Sequence, residues 1–355
     1  MKQLVPKIKE MANKIREGER KRKMFAEFLR EINPKIKLFH FIKPLDLDDL
    51  KIVGIDGGLA KRSLHGFDCI LVRSVGVCFE YKKNKVKTVR YYPSKLPPVK
   101  ADVTEALNDL DWAYYTSVFR MFSEVGTAVK CAEVFSPDII LMDGSIVPHY
   151  SDRPSKTSQV YAFYKELIEK YHKLYKVCKE KGIILAGVIE DSRGNRFCDI
   201  IRKEILSRIE HPSKSEAENI LEKTRDTNLL FWVLKRGEKT ISFQYAENPD
   251  EHPVLREFDK EIREKIHSFY VKTAELDRPV RVDFIKNGQT ENKIAGVLLS
   301  ISGQHSGYGI PAPLIEADTI AKLPETEMEI FYSQIMRFAG NLPGLMRLRR
   351  EQRPF

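Results

Sequence analysis

Two aspartates set the chemistry this chain could do. Asp56 closes the apolar run Lys51-Ile-Val-Gly-Ile-Asp56 and precedes Gly57-Gly58; Asp143 closes Ile139-Ile-Leu-Met-Asp143 and precedes Gly144-Ser145. Open α/β sheets place their chemistry at strand ends that face a crevice. Carboxylates are hard oxygen donors suited to Mg²⁺ or Mn²⁺. On neighbouring strands, two such aspartates could share a metal that orients water, stabilises a leaving oxygen and neutralises phosphate charge. Taken singly, each Asp could equally cap a βα turn. The pair, together with the strand order below, favours a site.

The elements that must carry these acids are legible as periodicities. Residues 51–56 read as a buried strand. Phe67 to Tyr81 and Val86 to Tyr92 are rich in β-formers and are joined through the turn Lys82-Lys83-Asn84-Lys85, so an antiparallel three-strand meander is expected. A long helix is expected over about 103–134, with Leu107, Leu110, Tyr114, Val118, Met121, Val125, Ala128 and Ala132 as its apolar stripe. A strand at 139–143, a helix at about 157–181 and a strand at 183–189 follow. The order is βββ–α–β–α–β. Residues 196–235 read as mainly helical. Further strands are expected at 241–246, 266–273, 280–286 and 294–302, then helices at 313–323 and 327–340.

A metal pair needs more than two acids, and the long helix offers Glu105, Asp109, Glu124 and Glu133. If the helix crosses over to a strand parallel to the first, its C-terminus lies at the far end of the sheet from Asp143. The strand with its lead-in rises ~15–20 Å. A helix needs ~10–13 residues to climb that height. Counting back from Val134 reaches 121–124, so Glu124 is the match; Glu133 sits at the wrong end and Glu105 overshoots. A solvated surface Glu is the competing reading.

Composition narrows the partners. The chain has 355 residues, 42% hydrophobic and 31% charged, enough for a full core without staples. Its net charge of +10 favours polyanion partners. Residues 1–23 hold nine basic and three acidic side chains, and Arg337, Arg347, Arg349, Arg350 and Arg353 face Glu351 alone in the last nineteen residues. Five cysteines without a CxxC pair argue against a zinc ribbon or disulfide framework. No apolar signal core or run of about eighteen uncharged apolar residues is present, so a cytoplasmic protein without a membrane span is expected. The absence of a GxxxxGK[ST] loop and of a GxSxG elbow disfavours nucleotide hydrolysis and serine hydrolase chemistry.

The segments VGIDGG, IILMDGS and GYGIPAPLIEADTIAKL, in that order, resemble the NurA nucleases of archaea and some bacteria, over roughly residues 50 to 325. The resemblance implies an α/β, RNase H-like mixed sheet: three antiparallel strands plus parallel strands, flanked by helices, with helical and β insertions. The βββ–α–β–α–β order agrees with it independently. Expected domain bounds are 1–45 for a basic helical arm and connector, 46–340 for the nuclease domain and 341–355 for a basic tail. Within the middle piece, a core at about 50–195 is completed by 301–325, with an insertion at about 196–300.

The resemblance further implies a Mn²⁺-dependent nuclease (Mg²⁺ being the alternative ion, two per site) that cuts single- and double-stranded DNA, with 5′-to-3′ polarity. It also implies a homodimer that docks on the hexameric ATPase HerA in DNA-end resection. Carried over by position, Asp56 and Asp143 match the strand acids, Glu124 the helix acid and Asp318 the late helix acid. Arg193 follows the third core strand and could hold phosphate, while Asp191 beside it stays ambiguous. His305, in a glycine loop before the late helix, could contact the scissile phosphate or leaving group. Tyr308 could stack on a base. Lys61 and Arg62, just past Gly58, join Arg193 and Tyr308 as expected nucleic-acid contacts. Two rivals remain open: a non-catalytic adaptor that ties DNA to a motor, and another RNase H-like resolvase or RNA-strand hydrolase.

Overall fold

The computed structural model describes residues 4–208, 214–340 and 342–349. Arg350 and Arg353 of the expected basic tail lie outside the described residues. In chain order the elements begin with α1 (Val5–Ile36), β1 (Phe39–Phe41), β2 (Lys51–Ser63), β3 (Phe67–Lys82), β4 (Lys85–Tyr92), β5 (Lys100–Glu105) and α2 (Asp109–Phe135). Then come β6 (Ile139–Asp143), α3 (Tyr161–Lys181), β7 (Ile184–Ile189), α4 (Arg196–Ile200), α5 (Lys214–Glu222) and α6 (Asp226–Val233). The chain ends with β8 (Glu238–Thr240), β9 (Phe243–Gln244), α7 (Lys260–Arg263), β10 (Ile266–Val271), β11 (Val280–Ile285), α8 (Thr290–Ile301), α9 (Ala312–Ala321) and α10 (Glu325–Ala339).

These elements form two compact units. The larger takes residues 47–188, 248–265 and 312–355; the smaller takes 1–46, 189–247 and 266–311. In the larger unit the strands run β7-β6-β2-β3-β4, and β5 also pairs with β3. The pairs among β2, β3, β4 and β5 are antiparallel, whereas β6 runs parallel to both β2 and β7. This is the mixed RNase H-like order expected from the sequence. Strands covered on both faces read as continuous apolar runs, and Ile52, Val53 and Ile55 of β2 and Ile139 to Met142 of β6 are accordingly buried.

Glycines set how closely helices approach β2. Alternate residues of a strand point to opposite faces. A Cβ on Gly54 or Gly58 would collide with the backbone of α9 at Pro313 and Ala321, while one on Gly57 would meet Glu124 of α2. Helices α9 and α2 therefore cover opposite faces of β2. Helix α2 begins at an N-cap, Asn108, whose side chain accepts from the Asp111 amide. It buries Val118, Met121, Val125, Ala128 and Ala132 of the expected stripe, whereas Leu110 is exposed and Leu107 precedes the helix.

The smaller unit has an antiparallel sheet in the order β1-β8-β10-β11, with β9 beside β10. Its core joins Phe25 and Leu29 of α1 to Phe197, Leu229, Leu230 and Tyr270.

Three expectations fail, each for a physical reason. The first strand was expected to close at Asp56 but runs on to Ser63, because antiparallel pairing with β3 continues from Gly57 opposite Ser74 to Ser63 opposite Asp68. Residues 294–302 were expected as a strand but belong largely to α8, which buries Ile294 through Leu299 without a break. A short helix buried all round shows a continuous apolar run, which periodicity cannot tell from a buried strand. Residues 100–105 form β5, not the start of the long helix. Their alternating pattern, with Asp102 and Thr104 half-buried between exposed neighbours, is that of an edge strand on β3. No helix among the described residues is long and apolar enough to cross a membrane.

Candidate metal centre

The parallel register brings the two strand acids together. Ile55 of β2 pairs with Met142 of β6, so Asp56 and Asp143 occupy the next rung. Strand β6 ends there because Gly144 takes a left-handed conformation, φ +91°, which a residue with a Cβ adopts at a cost. Asp56 is buried, at 5% exposure. Its Oδ1 accepts from the Gly57 amide at 2.6 Å, and its carboxyl is hydrogen-bonded to that of Asp143. Two carboxyls can share a hydrogen bond when one carries the proton. Burial raises the Asp56 carboxyl above the usual carboxylate range, and the charge of Asp318 adds to that. The Gly57 amide, Asp143 and Arg120 pull the other way.

Glu124 lies on the opposite side of the same strand segment. A Cβ on Gly57 would fall 2.6 Å from Glu124 Cγ and Oε1, so glycine at 57 is what gives this acid its place against β2. Burial pushes the Glu124 carboxyl up to about 7, with Arg120 opposing and the Asp56 charge contributing. Arg120, one helical turn earlier, donates from Nη1 to Glu124 Oε1 at 2.7 Å. Glu124 holds the guanidinium charged more firmly than usual against its burial, and Asp56 and Asp143 add to that hold. Tyr171 of α3 is buried beside Glu124 and Arg120, and burial keeps its phenol protonated.

Asp318 is exposed on α9, the helix seated on Gly54 and Gly58, and its charge reaches Asp56. Glu316, two residues away, instead accepts from the Tyr91 hydroxyl at 2.9 Å. The four acids predicted to act together thus stand on β2, β6, α2 and α9 of the larger unit. Asp56 is in direct or electrostatic contact with each of the other three.

The remaining predicted residues have contacts of their own. Lys61 reaches Thr116 Oγ1 at 3.4 Å and lies over the Trp112 ring. Arg62 is buried and forms ion pairs with Glu325 at 3.0 Å and Glu329 at 2.6 Å, tying β2 to α10. Arg193, His305 and Tyr308 belong to the smaller unit, and all three are exposed. His305 Nδ1 accepts from the Gly307 amide at 3.1 Å, and the Tyr308 hydroxyl donates to Glu190 at 3.4 Å. Asp191 pairs with Arg278 at 2.7 Å.

Sequence reasoning missed Arg120 and the steric role of Gly57. The signal for Arg120 was present: an Arg four residues before the helix acid faces it on the same side of the helix. Nothing in one sequence marks Gly57 apart from Gly58.

Among the described residues, no three Asp, Glu, His or Cys side chains close into a cage ready to hold an ion. Glu124 is turned onto Arg120. In kind, the donors fit Mn²⁺ or Mg²⁺: all are carboxylate oxygens, with no thiolate or imidazole among them. Two of them, Asp56 and Glu124, are buried acids whose ionised forms want a nearby cation.

The sequence matches the NurA domain family over residues 50–323. No curated protein matches the chain in sequence. Among solved structures, the NurA nuclease from Sulfolobus solfataricus is similar at 17% identity and TM-score 0.59, with 97% of this chain and 100% of that one covered. A NurA bound to dAMP and manganese is similar at 12% identity and TM-score 0.51, covering 97% of this chain and 99% of that one. A NurA with manganese is similar at 13% identity and TM-score 0.50, covering 94% and 98%.

Proposed function

This chain belongs to the NurA domain family, and we propose that it is a metal-dependent deoxyribonuclease that hydrolyses DNA phosphodiester bonds. The observation that carries this reading is the juxtaposition of Asp56 and Asp143 at one level of two parallel strands, with Glu124 seated against the same strand at Gly57 and the charge of Asp318 reaching Asp56. Such a concentration of acids is costly unless cations enter it. The NurA structures with manganese and with dAMP and manganese support the same assignment.

In this reading Asp56, Asp143, Glu124 and Asp318 would hold Mn²⁺ (or Mg²⁺), two ions per site. The ions, when bound, supply activation of the attacking water and charge neutralisation at the leaving oxygen. The chain's own part is to hold the acids in register. The parallel strands fix Asp56 against Asp143, and Gly57 admits Glu124. Asp56 and Asp143 would both have to be ionised to act as ligands. No side chain is then required as the general base. Lys61, Arg193, His305 and Tyr308 are proposed to hold the DNA. Arg62, occupied by Glu325 and Glu329, would have to leave those partners to do so.

From the family likeness we carry over the finer properties: 5′-to-3′ exonuclease and single-strand endonuclease activity, homodimerisation, and service to a HerA-type hexameric ATPase in end resection. Residues 46–340 would be the nuclease domain. Ile8, Met11 and Ile15 are exposed at helical spacing on α1, which supports this helix as a docking or dimer arm. Pull-down of the ATPase with and without residues 1–32 tests the docking role.

Incubating end-labelled DNA with Mn²⁺, with chelator, and with Asp56→Asn protein tests the activity. Cleavage should require metal and vanish in the variant, while DNA binding persists. Metal-dependent cleavage by folded Asp56→Asn protein would overturn the assignment, and DNA binding without cleavage by the wild type would favour the adaptor reading.

A further inference from the structure

Arg120 is placed among the acids in a way that a carboxylate metal site does not by itself require. It stands one turn before Glu124 on α2, with Nη1 2.7 Å from Glu124 Oε1. The two side chains differ in access: Glu124 is 6% exposed and Arg120 is 34% exposed. Arg120 is thus the less enclosed partner of the pair. Asp56 and Asp143 also act on it electrostatically, so one cation serves acids on β2, β6 and α2.

A divalent ion and a guanidinium compete for the same carboxylate oxygens, and like charges a few ångströms apart repel. Arginine stays charged in proteins. Arg120 can therefore only be displaced. Half-buried and on a long flexible stem, Arg120 is the partner that can move, whereas Glu124 is packed against Gly57.

We propose that Arg120 is the resident counter-cation of this centre, that a divalent ion takes Glu124 from it on binding, and that Arg120 thereby sets the metal affinity. The inference rests on the metal-centre reading of Asp56, Asp143, Glu124 and Asp318.

The test is Mn²⁺ titration of the full chain without DNA, following the free aqua ion by electron paramagnetic resonance. The samples are wild type, Arg120→Gln and Arg120→Lys, each stripped of metal beforehand. Removing the competing charge should tighten Mn²⁺ binding on the order of tenfold in Arg120→Gln. Arg120→Lys, which keeps the charge, should stay within about threefold of wild type. Equal or weaker binding by Arg120→Gln overturns the proposal and makes Arg120 a residue that positions Glu124 for the ion. A wild-type chain that binds no Mn²⁺ at all removes the metal-centre reading and this inference with it, a result distinct from the first. If Arg120→Gln loses its native circular dichroism, the wild type decides. Phenylglyoxal modification of Arg120, read by peptide mass spectrometry, should rise severalfold when Mn²⁺ is added; unchanged or reduced modification overturns the proposal.

Discussion

Replacing Glu124 with Gln should change the stability of the metal-free protein in a way that depends on pH. The Glu124 carboxyl is pushed up to about 7 by burial, from an ordinary value of 4.5. The folded chain therefore holds this proton more tightly than the unfolded chain between those values. Stability from this group is highest below pH 4.5, falls as pH rises to about 7, and stays at its low level above that. At about 1.4 kcal/mol per pH unit, the loss amounts to roughly 3 kcal/mol, an order-of-magnitude figure. Glutamine does not ionise and still offers an oxygen to Arg120. The variant should thus gain on wild type by up to roughly 3 kcal/mol between pH 5 and pH 8 in chelator.

Urea unfolding followed by tryptophan fluorescence reads this directly. Trp112 lies on α2 in the larger unit and Trp232 lies in the smaller, so a Trp232→Phe background isolates the relevant transition. A wild-type-to-variant difference that stays constant within about 0.5 kcal/mol from pH 5 to pH 8 would refute the reasoning. Added Mn²⁺ should erase the variant's advantage, because a bound ion stabilises the native wild type by mass action.

Further outcomes follow from the same contacts. Gly57→Ala places a Cβ 2.6 Å from Glu124; the displaced acid should weaken Mn²⁺ binding at least about tenfold by calorimetry, with about 1–3 kcal/mol lost in stability. Gly58→Ala drives a methyl into the Ala321 carbonyl of α9, where backbone must move. Loss of about 3 kcal/mol or more is expected in denaturant unfolding. Arg62→Met leaves Glu325 and Glu329 without their common partner. Both acids are partly exposed, so the loss should be at most about 1–2 kcal/mol and should shrink in 1 M salt.

Most of what positions the site could be read in advance. Apolar runs that finish in Asp-Gly announced β2 and β6, although β2 runs on past Asp56 to Ser63, and the rise of a helix against the height of a strand singled out Glu124. Both arguments use local spacing, which a sequence displays. What stayed hidden depends on contacts between distant segments. The smaller unit is assembled from three stretches separated along the chain, which meet only in the folded protein. Helix α8 looked like a strand because its burial leaves no polar face. Arg62 reads as a nucleic-acid contact, but its partners on α10 are more than 260 residues away in sequence. Arg120 carries no metal-ligand signal of its own, and its pairing with Glu124 is what ties it to the acids.

The central claim is that Asp56, Asp143, Glu124 and Asp318 hold divalent ions together. Crystals of the full chain soaked in Mn²⁺, with anomalous diffraction recorded at the manganese edge, test it most directly. Peaks flanked by Asp56 and Asp143, with Glu124 turned away from Arg120, are the predicted result. Manganese bound at other residues, with Glu124 still paired to Arg120, would contradict the account.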